Sequence, residues 1–133
     1  MKLPNQIEKD FIVLGPSKVA SIENSDATLY ERLDANYDNF IGHELISCYE
    51  FEHDWSSWEV HPNGDEIVLL ISGNVTFVLQ SESGETYINL SEQGQYVVVP
   101  KGVWHTAKVK EKSKLLFVTP GQGTQHKGQS VNA

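Results

Sequence analysis

Three side chains with ligand chemistry lie close together in "WEVHPNGDEIVLLISG" (58–73): Glu59, His61 and Glu66. On an extended strand, residues i and i+2 face the same side, about 6.6 Å apart along the chain. Glu59 and His61 therefore project together, and Val60 projects away. The turn residues "PNGD" (62–65) reverse the chain, so that Glu66 opens the next strand near the same end. A hairpin there brings one imidazole and two carboxylates into a small volume, a donor set suited to a divalent metal of intermediate character. The competing reading is a solvated face: Trp58 and Val60 form an apolar stripe toward a core, and Glu59 and His61 point to water.

The elements that must position these residues are short and β-rich. From residue 41 onward, "LISCYEFE" (45–52), "SSWEVH" (56–61), "EIVLLIS" (66–72) and "VTFVLQ" (75–80) follow one another closely. "TYINL" (86–90), "QYVVVP" (95–100), "HTAKVK" (105–110) and "KLLFVTP" (114–120) complete the series. The connections are rich in Gly, Asn, Ser and Pro, which tolerate positive φ or preset turn geometry. About eight short strands at this spacing predict an all-β sandwich or barrel rather than βαβ units. One helix is expected in "SDATLYERLDANY" (25–37), capped by Ser25 or Asp26, with Leu29 and Leu33 on one apolar face. The segment before it supplies an edge strand from "FIVLG" or "KVASIE", or covers an edge, and the polar, Gly-rich stretch after Pro120 is expected to be extended or frayed.

The 133 residues describe one domain, with an N-terminal extension over about 1–40, a β-rich body over 41–120 and a polar tail over 121–133. Ten basic residues against eighteen acidic give a net charge of −8, which argues against nucleic acid or anionic membranes as partners. The lone cysteine, Cys48, excludes an internal disulfide and thiolate zinc clusters, and reads as a small core hydrophobe. The opening "MKLPNQIEKDFIVLG" places polar residues where a signal peptide is apolar, so the expected location is the cytoplasm.

A second segment decides between the two readings of 58–73. In "GQYVVVPKGVWHTAKV" (94–109), Gly94, Pro100, Gly102 and His105 stand at the offsets G-x5-P-x-G-x2-H. His61, Glu66 and Gly73 stand at H-x4-E-x6-G, and twenty residues separate Gly73 from Gly94. The pair resembles the two motifs of the cupin superfamily, G-x5-H-x-H-x3,4-E-x6-G followed by G-x5-P-x-G-x2-H-x3-N. That resemblance implies a jelly-roll barrel in which each motif forms a hairpin and the ligands meet inside. By position, His61, Glu66 and His105 match three of the usual four metal ligands. The chain departs from the pattern at Glu59, which stands in the place of the first histidine, and at Val109, in the place of the final Asn.

The resemblance implies a bound metal; a carboxylate at Glu59 is a legitimate ligand, and with His61, Glu66 and His105 it gives a donor set suited to a divalent transition metal, Fe, Mn, Zn or Ni, the alternative being a Glu59 that salt-bridges locally beside an empty or weak site. The resemblance also implies a metal-dependent enzyme of oxygenase, isomerase or lyase type on a small molecule in the barrel. The second reading is a non-catalytic binding or sensing module, and no residue is assigned a catalytic role. Homodimerisation through edge strands is expected. Trp55, Trp58 and Trp104 either wall a pocket or pack the core or a dimer interface. His43 and His53 are read as surface or hydrogen-bonded residues, His126 as solvated, and Asp65 as ordering its turn.

Overall fold

A computed structural model describes residues 4–128 as an antiparallel jelly-roll barrel of nine strands with one helix. The strands are β1 (Asp10–Leu14), β2 (Ala20–Asn24), β3 (Glu44–Phe51), β4 (Ser57–Val60), β5 (Glu66–Ser81), β6 (Gly84–Leu90), β7 (Tyr96–Val99), β8 (His105–Thr119) and β9 (Gln125–Gly128). Helix α1 covers Leu29–Asn36, and a 3₁₀ turn follows at Asp38–Phe40. One path of paired strands runs β2-β1-β3-β8-β4-β9, and β5 joins β8 to β6 and β7.

Two pairs of expected strands are each one long strand. Residues 66–80 run unbroken as β5, and 105–119 as β8, and the two pair from Ile67↔Val118 to Leu79↔His105. The Gly and Lys-rich interruptions that look like turns in the sequence are bulges, where the register slips between Leu70 and Val75. Bulges bend a strand and raise its twist, so this pair curves enough to help close the barrel. Gly73 permits the bend. Its φ is +103°, and a Cβ there would lie 2.6 Å from Ser113 Cα and Cβ. Ser113 Oγ accepts the Asn74 N–H at 2.9 Å at the same place.

The alternation of β5 and β8 buries one apolar cluster around Val68, Leu70, Phe77, Val97, Leu115 and Phe117. The N-terminal segment, expected to add one edge strand or cover an edge, forms a strand from each candidate stretch, with β2 at the sheet edge and β1 between β2 and β3. Its buried residues Phe11 and Val13 pack with Leu29 and Leu33 of α1, Phe40 and Leu45 in a second cluster. The helix therefore presents the apolar face that its Leu spacing predicts, but Thr28 rather than Ser25 or Asp26 holds the N-cap position, without a side-chain cap, and Asp26 Oδ1 accepts the Thr28 N–H at 3.1 Å. Cys48 is buried on β3. Among the described residues no helix is long and apolar enough to cross a membrane.

Two expectations are corrected. The segment 62–65 does not join a hairpin: β4 pairs with β8 and β9, whereas β5 pairs with β6, β7 and β8. Likewise 100–104 joins β7, a partner of β5, to β8 without a β7–β8 ladder among the described residues. Both connections cross the barrel between strands that are not neighbours. The polar stretch after Pro120, expected to be extended or frayed, is extended through Gly128. Residues 125–128 form β9, which pairs with all of β4 from Ser57↔Gly128 to Val60↔Gln125. Only the single Glu59↔His105 register joins β4 to β8, so β9 satisfies the free edge of a short strand whose backbone groups need partners. Residues 129–133 of the expected tail lie outside the described residues.

Gly73→Ala is expected to destabilise the fold by about 2–5 kcal/mol, combining positive-φ strain with overpacking against Ser113. Chemical denaturation measures this, and a loss below about 1 kcal/mol would show that the bulge relaxes.

Candidate metal centre

Strand register places the first two functional side chains. Glu59 and His105 are Cα partners across β4 and β8, so their side chains leave the ladder on the same face. His61 follows β4 by one residue, two positions after Glu59 and therefore on that face. Glu66 is the first residue of β5 and pairs with Val99. Two short contacts dock the connections that carry these residues. The Gly102 N–H donates to the His61 carbonyl at 3.0 Å, and the Lys101 N–H to Asp65 Oδ1 at 2.8 Å. Asp65 thereby ties one motif to the other. Gly102 holds φ +75° at this junction, which explains why the second motif needs a glycine there.

The result is a cluster of Glu59, His61, Glu66 and His105 whose ligand atoms all lie within 4.8 Å of one another. His61 Nε2 lies 3.3 Å from Glu59 Oε1 and 3.2 Å from Glu66 Oε2. His105 Nε2 lies 3.5 Å from Glu59 Oε1 and 3.2 Å from Glu66 Oε1. Each imidazole faces both carboxylates and each carboxylate faces both imidazoles. Glu66 and His105 are 1% and 0% exposed, and Glu59 is the most accessible of the four.

The remaining ring and carboxylate atoms are held by neighbours. His105 Nδ1 donates to the Val103 carbonyl at 3.0 Å, because a carbonyl can only accept, and this fixes the proton on Nδ1 and turns Nε2 into the cluster. His61 Nδ1 meets Thr124 Oγ1 at 2.7 Å. Thr119 Oγ1 donates to Glu66 Oε2 at 2.5 Å. His126 Nε2 lies 3.1 Å from Glu59 Oε2. Within the cluster, His61 Nε2, His105 Nε2 and Glu66 Oε1 are buried with no hydrogen bond of good geometry. Buried polar atoms left in this state cost stability unless something else satisfies them. Three such atoms aimed at one point, with both histidine orientations fixed from behind, are what a bound divalent cation requires.

The four side chains form part of the wall of a cavity of about 910 Å³. Aromatic rings from β3, β8 and the 52–56 connection form a slab beside them: Tyr49, Phe51, Trp55 and Phe117, with ring centroids 5.6–6.2 Å apart. Trp55 also lies 6.3 Å from the His105 ring. Of the three tryptophans only Trp55 is on this wall. Trp58 is buried on the opposite face of β4, and Trp104 stacks under Lys127 at 4.5 Å. His53 reaches the cavity, while His43 bonds the Ile41 carbonyl and packs on Tyr37 and Phe40.

The site residues that the sequence reading missed are Thr119, Thr124 and His126. The sequence predicts a solvated His126, and although its side chain is 58% exposed it reaches Glu59. Nothing in "GQGTQHKG" alternates in hydropathy, so only the free edge of β4 brings it here.

Without a metal the cluster is a network of ion pairs. Burial works against charge at all four groups, but the facing partners win. The carboxylates raise His61 and His105 from 6.5 to about 9. The two imidazoles hold Glu59 and Glu66 below the ordinary 4.5. A histidine with a raised folded pKa stabilises the fold below pH 6.5, and that contribution fades as pH climbs through about 9. A carboxyl with a lowered pKa stabilises above pH 4.5 and loses the contribution as pH falls. Chelator-treated protein is therefore expected to melt highest between pH 4.5 and 6.5 and progressively lower toward pH 9. Thermal unfolding across that range tests it, and a midpoint that rises from pH 6.5 to 9 would contradict the ion-pair network.

The chain matches no protein-family model and no curated protein. Among solved structures it is similar to a cupin-2 domain containing protein from Shewanella frigidimarina, at 25% identity and a TM-score of 0.50, over 58% of this chain and 70% of that one. It is similar also to an oxalate oxidase, at 14% identity and a TM-score of 0.51, over 61% of this chain and 44% of that one. The chain thus spans less than half of that oxidase, and a likeness at this identity bears on fold alone. Barrel topology, motif spacing and a converging Glu-His-Glu-His cluster agree with the cupin fold, with Glu59 where the first motif places a histidine.

Proposed function

We propose that this single-domain cupin binds a divalent transition metal through Glu59, His61, Glu66 and His105 and acts as a metal-dependent enzyme on a small molecule in the barrel. The observation that carries the reading is the placement of four converging ligand atoms on the wall of a cavity of about 910 Å³. Pockets of roughly 300–1,000 Å³ suit small-molecule substrates. Two carboxylates neutralise a divalent charge, and the mixed N/O set suits Fe, Mn, Zn or Ni without selecting one.

The chain's own residues divide the work. His61 and His105 donate Nε2, held in orientation by Thr124 and by the Val103 carbonyl. Thr119 anchors one oxygen of Glu66, which leaves the other facing His105. His126 holds Glu59 Oε2, so Glu59 Oε1 is the atom that faces both imidazoles. The slab of Tyr49, Phe51, Trp55 and Phe117 excludes water on one side and offers an apolar surface to a substrate. The bound metal would supply a Lewis acid or redox centre. Oxygenase, isomerase and lyase chemistry are all compatible with these residues. A non-catalytic binding or sensing cupin is the second reading, favoured by the burial of His61, Glu66 and His105, which resembles a closed site. We further propose that the protein is cytoplasmic and homodimeric, with the exposed edge of β2 available for pairing.

Titration of chelator-treated protein with Zn(II), Mn(II) or Fe(II) is expected to give about one ion per chain. His61→Ala and Glu66→Gln should abolish tight binding, and Thr124→Val should weaken it about 10–100-fold by freeing the His61 ring. Wild-type protein that takes up less than about a tenth of an equivalent of every ion would overturn the proposal. Light scattering should give twice the chain mass of 14.9 kDa, and the mass of one chain at micromolar concentration would count against the dimer.

A further inference from the structure

The cavity wall has a one-sided charge. Among the described residues its side chains include four carboxylates, Asp34, Asp54, Glu59 and Glu66, but no lysine and no arginine. Glu59 and Glu66 face the two imidazoles and would balance a divalent ion there. Asp34, exposed on α1, and Asp54, exposed after β3, add two carboxylates to a wall whose basic side chains, among the described residues, are the imidazoles of His53, His61 and His126. Asp54 Oδ1 accepts the Val109 N–H at 2.7 Å, which keeps its carboxylate at the cavity. The aromatic slab of Tyr49, Phe51, Trp55 and Phe117 lines the same cavity.

A carboxylate or phosphate entering this space would lose its water and find no guanidinium or ammonium in exchange, a cost only a metal could offset. It would also approach these two carboxylates on a protein of net charge −8. A flat apolar molecule meets the opposite conditions. Its face stacks on the slab, and a positive group on it gains from both the π-faces and the acids. Building on the small-molecule reading above, we infer that the cavity takes an aromatic or similarly flat small molecule that carries no negative charge, with cationic forms preferred.

Three probes of the same ring and different charge test this: benzylamine, benzyl alcohol and benzoate, followed by ligand-observed NMR on chelator-treated protein. Metal-free protein removes direct coordination of benzoate, and makes the result independent of metal binding. Benzylamine is expected to bind most tightly, benzyl alcohol next and benzoate at least about tenfold more weakly than benzylamine. Asp34→Asn together with Asp54→Asn should narrow the gap between benzylamine and benzoate by about threefold or more. Benzoate binding as tightly as benzylamine, no binding of any probe, or a gap unchanged in the double variant would each overturn the inference. If no metal binds but the charge order holds, the metal reading falls and this one stands. If metal binds and the charge order fails, the reverse is true.

Discussion

The mutual facing of two histidines and two glutamates inside the barrel is the constraint on which the rest of the structure depends. Four ionisable groups within 4.8 Å, three of them buried, are not a low-energy arrangement for an ordinary core. They persist because the surrounding elements over-determine them. Glu59 and His105 are locked by register, His61 is tied through its carbonyl to Gly102, and Glu66 is clasped by Thr119. The bulged β5–β8 pair supplies the frame. Its bend at Gly73 closes the barrel, and its two ends deliver Glu66 and His105.

Replacing the first motif histidine with Glu59 changes this centre in charge more than in shape. Three neutral imidazoles and one carboxylate leave a divalent ion net positive, whereas two carboxylates leave it neutral. A neutral centre attracts anionic ligands less strongly, and the rest of the wall, acidic and aromatic, points the same way. The substitution also creates a need for His126. A carboxylate has a second oxygen to satisfy, and β9 brings an imidazole to it. Fold does not transmit substrate: the likeness to an oxalate oxidase is one of barrel topology, and the wall chemistry is this chain's own.

Much of the centre was legible in the sequence because its spacing is rigid. Period-2 alternation puts Glu59 and His61 on one face, and fixed offsets to Gly73, Pro100 and Gly102 pin Glu66 and His105 to turns of known shape. Other features depend on distant partners and leave no local signal. "SGN" and "KEKSK" read as breaks, yet the ladder between β5 and β8 carries both through as bulges. "PNGD" reads as a hairpin, but β4 finds its partners in β8 and β9 instead. Thr124 and His126 sit in a polar, Gly-rich stretch with no alternation, and only the open edge of β4 gives that stretch a structure. The aromatic slab was half legible: Trp55 stood out, while Tyr49, Phe51 and Phe117 looked like ordinary strand residues.

In the proposed Glu-His-Glu-His centre, Glu59 serves as the fourth ligand. Crystals of metal-loaded protein, measured at the absorption edge of the added ion, test this most directly. A four-ligand centre gives one anomalous peak per chain, with His61 Nε2, His105 Nε2, Glu66 and Glu59 Oε1 all at about 2.0–2.3 Å from it. A peak held only by the other three, with Glu59 turned away to His126, would rule Glu59 out as a ligand, and no peak between the four would rule out the centre.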